Sequence, residues 1–404
     1  MRYFLKRFSV ALKSLALFRG IMALTIVLAV FTEKSDADSS IIALQTSPFL
    51  NGLLALLVSV LGLLLLVGYR TRLVSVLCFL ACGLATLLGV GQFGLISGVL
   101  LPILFWSCFL PLGAAYSLDS AMNTAKVLLP PAIVSGATVV LMVQHSLNYW
   151  LPKALFWSTL VETTEPGAVG NIRSLLWVIG LLSPLFVLIS LRLNSHRSVL
   201  VAVFVCIHVI AILALGQPTV LHLLAIALWT IYLPYSFWEA LAEYVSNPAR
   251  QGISIYYDAD CGFCKKVVHV LRTLLVLPSA PLATAQSDPS ICADMESYNS
   301  WVVVDWQQKR HFKFEAIAYI CSLSPVFQVV APILRWQPVM NVGTRFYEAI
   351  ANNRRKAGLL TKPLTFHASP ITSSRLENWI VGLCSVTYFA SRLPLLIEAF
   401  KLSP

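Results

Sequence analysis

Charge is scarce in this chain. Only 12% of its 404 residues are Asp, Glu, Lys or Arg, while 58% are hydrophobic. Soluble domains carry about 25% charged residues, so an ordinary water-facing surface along the whole length is excluded. Also missing is a basic stripe with interleaved aromatics. The net charge of +11 therefore argues for anionic lipid headgroups and not for nucleic acid as the partner. Cysteine is too sparse for a secreted disulfide scaffold: nine are scattered singly, apart from Cys78/Cys82 and Cys261/Cys264. No second CxxC and no spaced histidine pair is present, so a zinc site at Cys261/Cys264 would have to recruit Cys292 and His269. No small-residue cleavage site follows the first apolar stretch, which is expected to stay as a span.

What charge there is lies unevenly. Residues 1–249 hold 13 Lys/Arg and 8 Asp/Glu; residues 250–404, though far fewer, hold 16 and 10. The first part reads as membrane and the second as a basic soluble segment, with neither half carrying a concentrated basic surface. A span needs about 20 mostly apolar residues. Eight stretches qualify, near Leu15–Phe31, Phe49–Tyr69, Leu73–Val90, Phe93–Pro111, Leu129–Trp150, Ser174–Leu191, Val199–Leu215 and Val220–Phe237. Lys and Arg crowd the N-terminus and alternate connections (Arg2, Lys6, Arg7, Lys13; Arg70, Arg72; Lys126; Arg192, Arg197). The other loops hold Lys34, Lys153 and Arg173 beside five acids. The positive-inside rule then places the N-terminus and the post-span segment in the cytoplasm.

The fifth stretch ends in Gln144-His145-Ser146-Leu147-Asn148-Tyr149-Trp150-Leu151-Pro152-Lys153. Polar groups at membrane depth are expensive and often functional; the plainer reading is a snorkelling Lys153 beside an aromatic belt. Arg19-Gly20, this polar span, Lys153, Trp157 and Gly167 resemble the membrane domain shared by vitamin K-dependent gamma-carboxylase and its bacterial HTTM relatives, over roughly residues 10–240. The resemblance implies the fold, with Lys153 as a functional lysine on the outer side and Trp157 four residues on. His145 lies upstream of that lysine. His208 and His222, inside the last two stretches, could ligate haem or hold a quinone headgroup; such histidines are more often hydrogen-bonded within the bundle. Cys78 and Cys82, one helical turn apart, read as small packing residues.

After Asn247-Pro248-Ala249-Arg250 the period changes. Ile253-Ser-Ile-Tyr-Tyr-Asp258 alternates as a strand, Cys261-Gly-Phe-Cys264 turns the chain, and Val267, Val268, Leu271, Leu274 and Leu275 follow at helical spacing. Strand, CxxC, helix is the context of a redox motif. A helix N-terminus stabilises a thiolate, so Cys261 is the expected nucleophile and Cys264 the resolving thiol. Lys265 and Lys266 are expected to favour the thiolate, and Asp258 and Asp260 to oppose it. An inert or zinc-bound pair is the alternative. Tyr257-Asp-Ala-Asp-Cys-Gly-Phe-Cys264 resembles the D-x-D-C-x-x-C signature of the DCC thiol-disulfide oxidoreductases. Trp301–Asp305, Glu315-Ala316, Arg345-Phe-Tyr347 and Asn352-Asn-Arg-Arg355 match its later segments. That resemblance covers about 252–360 and implies a small thioredoxin-like α/β domain.

The expected architecture is thus a polytopic helical bundle over 1–245, the thioredoxin-like domain over 252–362, and a tail over 363–404. In that tail Trp379, Leu383, Val386, Ala390, Leu393, Ile397 and Phe400 repeat at heptad spacing. A central Arg392 disfavours a ninth span, so this helix should lie on the membrane surface or dock on the bundle. The leading function is membrane-tethered thiol–disulfide exchange with a protein or small-molecule thiol, with quinone binding in the bundle as one coupling. A rival reading centres a membrane enzyme or transporter on Lys153 and His145, with the CxxC as a redox sensor; a third is a non-catalytic assembly factor.

Overall fold

The computed structural model describes residues 9–32, 47–90, 93–125, 130, 132–150, 196–215, 219–369 and 375–401. The chain is predominantly helical, with a small α/β region in its second part. It divides into two compact units. The first comprises Met1–Ala114, Pro130–Trp238 and Ile371–Pro404; the second comprises Ala115–Leu129 and Glu239–Pro370.

Apolar helices make up the first unit. Leu12–Phe31 and Pro48–Val67, each 20 residues, are long and apolar enough to cross a membrane. The second shows how sequence sets the ends: the Ser47 side chain accepts from Leu50 N, Pro48 opens the first turn, and Gly68 closes it at φ 72°, a left-handed conformation that glycine adopts without steric cost. Thr71–Leu87, Phe93–Ser107, Gly136–Trp150 and Arg197–Leu215 are shorter. The expected eighth span is broken: Thr219–Thr230 and Tyr235–Tyr244 meet at 95°, where Pro234 cannot continue a helix. The fifth begins later than expected, because Ala132–Ile133 (β2) pairs antiparallel with Val10–Ala11 (β1). Among the described residues, two helices, or three with the bent pair, therefore meet the length of a span where eight stretches were expected along the chain. The expected Ser174–Leu191 span lies outside the described residues.

One end of this unit is tied together by polar contacts. Ser14 Oγ donates to Leu233 O at 2.8 Å and accepts from Trp238 Nε1 at 2.7 Å, and Arg19 Nη1 donates to Leu112 O at 2.6 Å. The helix Arg375–Lys401 docks on this unit. Arg72 pairs with Glu377 at 2.7 Å, Tyr388 packs edge-on against Trp106, and Val381 closes on Gly136.

The second unit is built on a four-stranded sheet of order β4-β3-β5-β6. Here β3 is Ser254–Tyr257, β4 Leu282–Thr284, β5 Val302–Val304 and β6 Arg310–Phe312. β3 runs parallel to β4 and antiparallel to β5, which is antiparallel to β6. Helices Gly262–Leu274 and Pro289–Tyr298 follow β3 and β4, and Lys313–Leu323 follows β6. Alternation splits the core between two faces: Ile255, Tyr257, Val268, Val303 and Ile320 fill one, and Ala285, Ile291, Met295, Val302 and Val304 the other. The short helix Leu118–Met122, capped by Ser117 and Ser120, packs on Gly262–Leu274. Beside it Asn123 bridges to His367, with Thr124 N donating to His367 O at 2.8 Å.

Candidate functional site

The C-terminal end of β3 delivers Asp258, and the chain turns through Ala259 and Asp260 into the helix Gly262–Leu274. Asp258 Oδ1 makes that turn by accepting from Asp260 N at 3.1 Å and from Gln286 Nε2 at 2.9 Å, while Gln286 Oε1 accepts from Ala259 N at 3.1 Å. Cys261 is the N-cap residue, with φ −96° and ψ 93°, and its Sγ accepts from Cys264 N at 3.3 Å. A sulfur in this position takes one of the four backbone donors that a helix leaves unsatisfied at its start. Cys264 follows one turn on, and both cysteines are partly buried.

The two sulfurs meet different surroundings. Burial pushes the Cys264 thiol up to about 12, reinforced by its hydrogen bond and proximity to Cys261, with Arg354 pulling the other way. That Arg354 comes from the far end of the domain. Its Nη1 lies 3.8 Å from Asp258 Oδ2, and its Nη2 donates to Asn299 O at 3.0 Å and Asn299 Oδ1 at 2.7 Å. Asn299, left-handed at φ 48°, in turn donates to Asn352 Oδ1 at 3.1 Å. The late Asn-Arg segment is therefore clamped to the motif loop. Tyr347 lies near enough to Cys264 to feel its charge; burial first, and then that charge, raise its hydroxyl to about 12 against the hydrogen bond with Ser300.

The expected help from Lys265 and Lys266 is corrected. Lys266 Nζ donates to Thr361 O at 2.9 Å and Lys265 lies over the Phe366 ring at 5.2 Å, so both hold the 361–366 segment. Asp258 sits in the site, whereas the Asp260 side chain is exposed beside it. His269 packs between Tyr257 and Phe366, and Cys292 faces Glu296. Neither stands with the dithiol, and no group of three metal-ligating side chains occurs among the described residues.

In the helical unit, the described candidates form a buried polar layer. His208 Nδ1 lies 2.9 Å from His222 Nδ1. His145 Nδ1 lies 3.3 Å from the Tyr232 hydroxyl, and its ring stands edge-on to Trp229 at 4.7 Å. Cys78 and Cys82 share the buried face of Thr71–Leu87. Lys153, Trp157 and Gly167 lie outside the described residues. Gln286 and Asn299 carried no signal in the sequence. Arg354 stood in a segment matched to a family, yet nothing local pointed it at Asp258.

Residues 255–359 match the family described as DCC1-like thiol-disulfide oxidoreductase, a stretch that contains both cysteines, Tyr347 and Arg354. Comparison with curated proteins and with solved structures finds no match. This chain thus carries, within its second unit, a domain similar to the DCC1-like thiol-disulfide oxidoreductases.

Proposed function

We propose that the protein is a membrane-tethered thiol–disulfide oxidoreductase in which Cys261 attacks and Cys264 resolves. The observation that carries this is the N-cap position of Cys261, whose sulfur accepts from Cys264 N at 3.3 Å. A thiolate is the nucleophile, and the free N–H groups and dipole of a helix start stabilise it. Cys261 displaces one sulfur of a substrate disulfide, which leaves as a thiolate. Cys264 then gives up its proton and attacks Cys261 Sγ, so substrate leaves as dithiol and the two cysteines end as a disulfide. The reverse sequence oxidises a dithiol substrate. The sheet order and strand directions are those of thioredoxin-like proteins, which supports this reading. Where thioredoxins place a proline opposite the CxxC, this chain has Ser300-Trp301.

Tethering is supported by the two spanning-length helices and by the apolar side chains that Pro48–Val67 and Thr71–Leu87 turn outward, such as Leu53, Leu56, Leu80 and Leu87. Residues 115–125, from the connection that also holds Lys126, pack within the second unit. The connection and the dithiol domain then share one side of the bilayer, the cytoplasmic one by the lysine and arginine pattern. Placing the helical unit with the HTTM proteins rests on Arg19-Gly20, the polar Gln144-His145 turn, Lys153, Trp157 and Gly167.

The test is a redox titration of the full-length protein in glutathione buffers, with thiols trapped and read by mass spectrometry. The expected result is a reversible Cys261–Cys264 disulfide with a potential roughly between −270 and −120 mV, the range of known oxidoreductases. Cys264→Ser should accumulate a mixed disulfide at Cys261. Thiols that titrate only after a chelator is added would sink the reading.

A further inference from the structure

The even split of net charge between the two halves of the chain conceals a local excess. Between Glu315 and Pro370, where the second unit ends, stand six lysines and arginines and a single carboxylate, Glu348. That carboxylate is already paired with Lys313 at 2.6 Å. The preceding stretch of the same domain, residues 252–315, is balanced at six against seven. The cationic excess coincides with exposed apolar surface. Val329, Ile333 and Trp336 are exposed before and at the start of the helix Gln337–Asn352, Trp336 at 64%. On that helix Val342 and Phe346, one turn apart, are each 67% exposed, with Arg345 between them. The next helix, Arg354–Leu360, exposes Leu360 at 84% together with Arg355 and Lys356. Neither helix buries a residue fully.

We infer that this face of the dithiol domain docks on the anionic surface of the bilayer that holds the chain's own apolar helices. The inference rests on the tethered reading above. Aromatic and aliphatic side chains interleaved with Lys and Arg, and free of acids, are the pattern of segments that lie in a membrane interface. The cations meet phosphatidylserine-type headgroups while Trp336 and Phe346 enter the acyl boundary. Glutamate and aspartate would be repelled there, and this stretch nearly lacks them. The tether keeps the surface near: residues 245–253 alone separate the helix Tyr235–Tyr244 from β3. The two docked helices meet at Asn352–Arg354, where Asn352 and Arg354 hold the motif loop through Asn299 and Asp258. Docking therefore fixes the height of the dithiol above the membrane and favours substrates whose thiols lie near that surface.

The experiment uses the full-length protein in nanodiscs whose lipids carry brominated acyl chains, with and without phosphatidylserine. The signal is the tryptophan fluorescence that Trp336→Phe removes. In phosphatidylserine discs this component should be quenched by the bromine and shielded from aqueous iodide. High salt, and the triple variant Arg345→Glu/Arg355→Glu/Lys356→Glu, should each return it to iodide; salt acts on the native chain, so misfolding of the variant cannot decide the matter. An inserted protein whose Trp336 component is untouched by bromine and open to iodide would overturn the docking alone. Shielding that appears in detergent as protein concentration rises, without bromine quenching, would overturn it in favour of a second copy. A chain that washes off vesicles at alkaline pH would overturn the tether itself.

Discussion

Cys264 is held as a neutral thiol near physiological pH because burial raises it to about 12. Its ionisation, not its position, then limits resolution of a mixed disulfide. Only thiolates react with iodoacetamide, so at neutral pH Cys261 should be alkylated first and Cys264 should lag. The lag should shrink as pH rises toward 12, a profile read by mass spectrometry of timed quenches. Arg354 is the cation that pulls Cys264 the other way. Arg354→Ala should therefore move the Cys264 alkylation profile to higher pH and slow release of the mixed disulfide. The ion pair with Asp258 is partly exposed and long at 3.8 Å, so its stability contribution is about 0.2–1 kcal/mol. The kinetic effect should outweigh the loss in melting temperature; equal losses in both would show that Arg354 only braces the fold.

The β5–β6 hairpin shows a second use of charge. Burial alone would raise the Asp305 carboxyl. Hydrogen bonds from His311 at 3.1 Å and from Lys309 N and Gln307 N outweigh it and hold the group below its ordinary 3.8. A depressed carboxyl contributes stability that is present above the unfolded-state value and lost as pH falls through the folded one. The second unit should therefore keep this contribution at neutral pH and begin to lose it as pH drops past about 3.8. His311→Ala should flatten that dependence in thermal melts of the detergent-solubilised protein. His311 also stacks on Tyr319 at 4.1 Å and bonds Glu315 at 2.6 Å, so strand β6 is clipped to the helix it leads into. Against the turn of the same hairpin, Gly252 meets the Trp306 backbone. A Cβ there would stand 2.9 Å from Trp306 Cα and 3.2 Å from Pro248 O. Backbone cannot yield as a side-chain tip does, so Gly252→Ala should cost about 1–3 kcal/mol, the usual range for overpacking.

For the whole molecule, the apolar helices and the dithiol domain predict a protein that resists extraction at alkaline pH and reacts from one side. A membrane-impermeant maleimide should label Cys261 in inside-out vesicles and spare it in right-side-out ones. The reverse pattern would place the domain outside. The sidedness argument draws on Ala115–Leu129, which belongs to the second unit although apolar helices flank it on both sides. Much of the plan is visible in the chain itself. Cys261-Gly-Phe-Cys264 after an alternating strand marks the dithiol, and Ser47-Pro48 with Gly68 marks both ends of a helix. Less visible was the break at Pro234. Its neighbours are apolar throughout, so hydropathy runs across a bend that backbone geometry makes.

Local pattern was enough to determine that this chain pairs apolar helices with a small α/β domain, and where its CxxC pair stands. Those features depend on neighbours a few residues apart: period 2 in Ser254–Tyr257, period 3.6 after Cys264, and long runs without charge. Tertiary structure decided which groups govern the sulfurs. Lys265 and Lys266, adjacent in sequence, turn to Thr361 and Phe366, while Arg354, some ninety residues on, reaches Asp258. A side chain's direction follows from its place on a helix, but its partner is set by which elements the packed sheet brings alongside, and charges act through space and not along the chain.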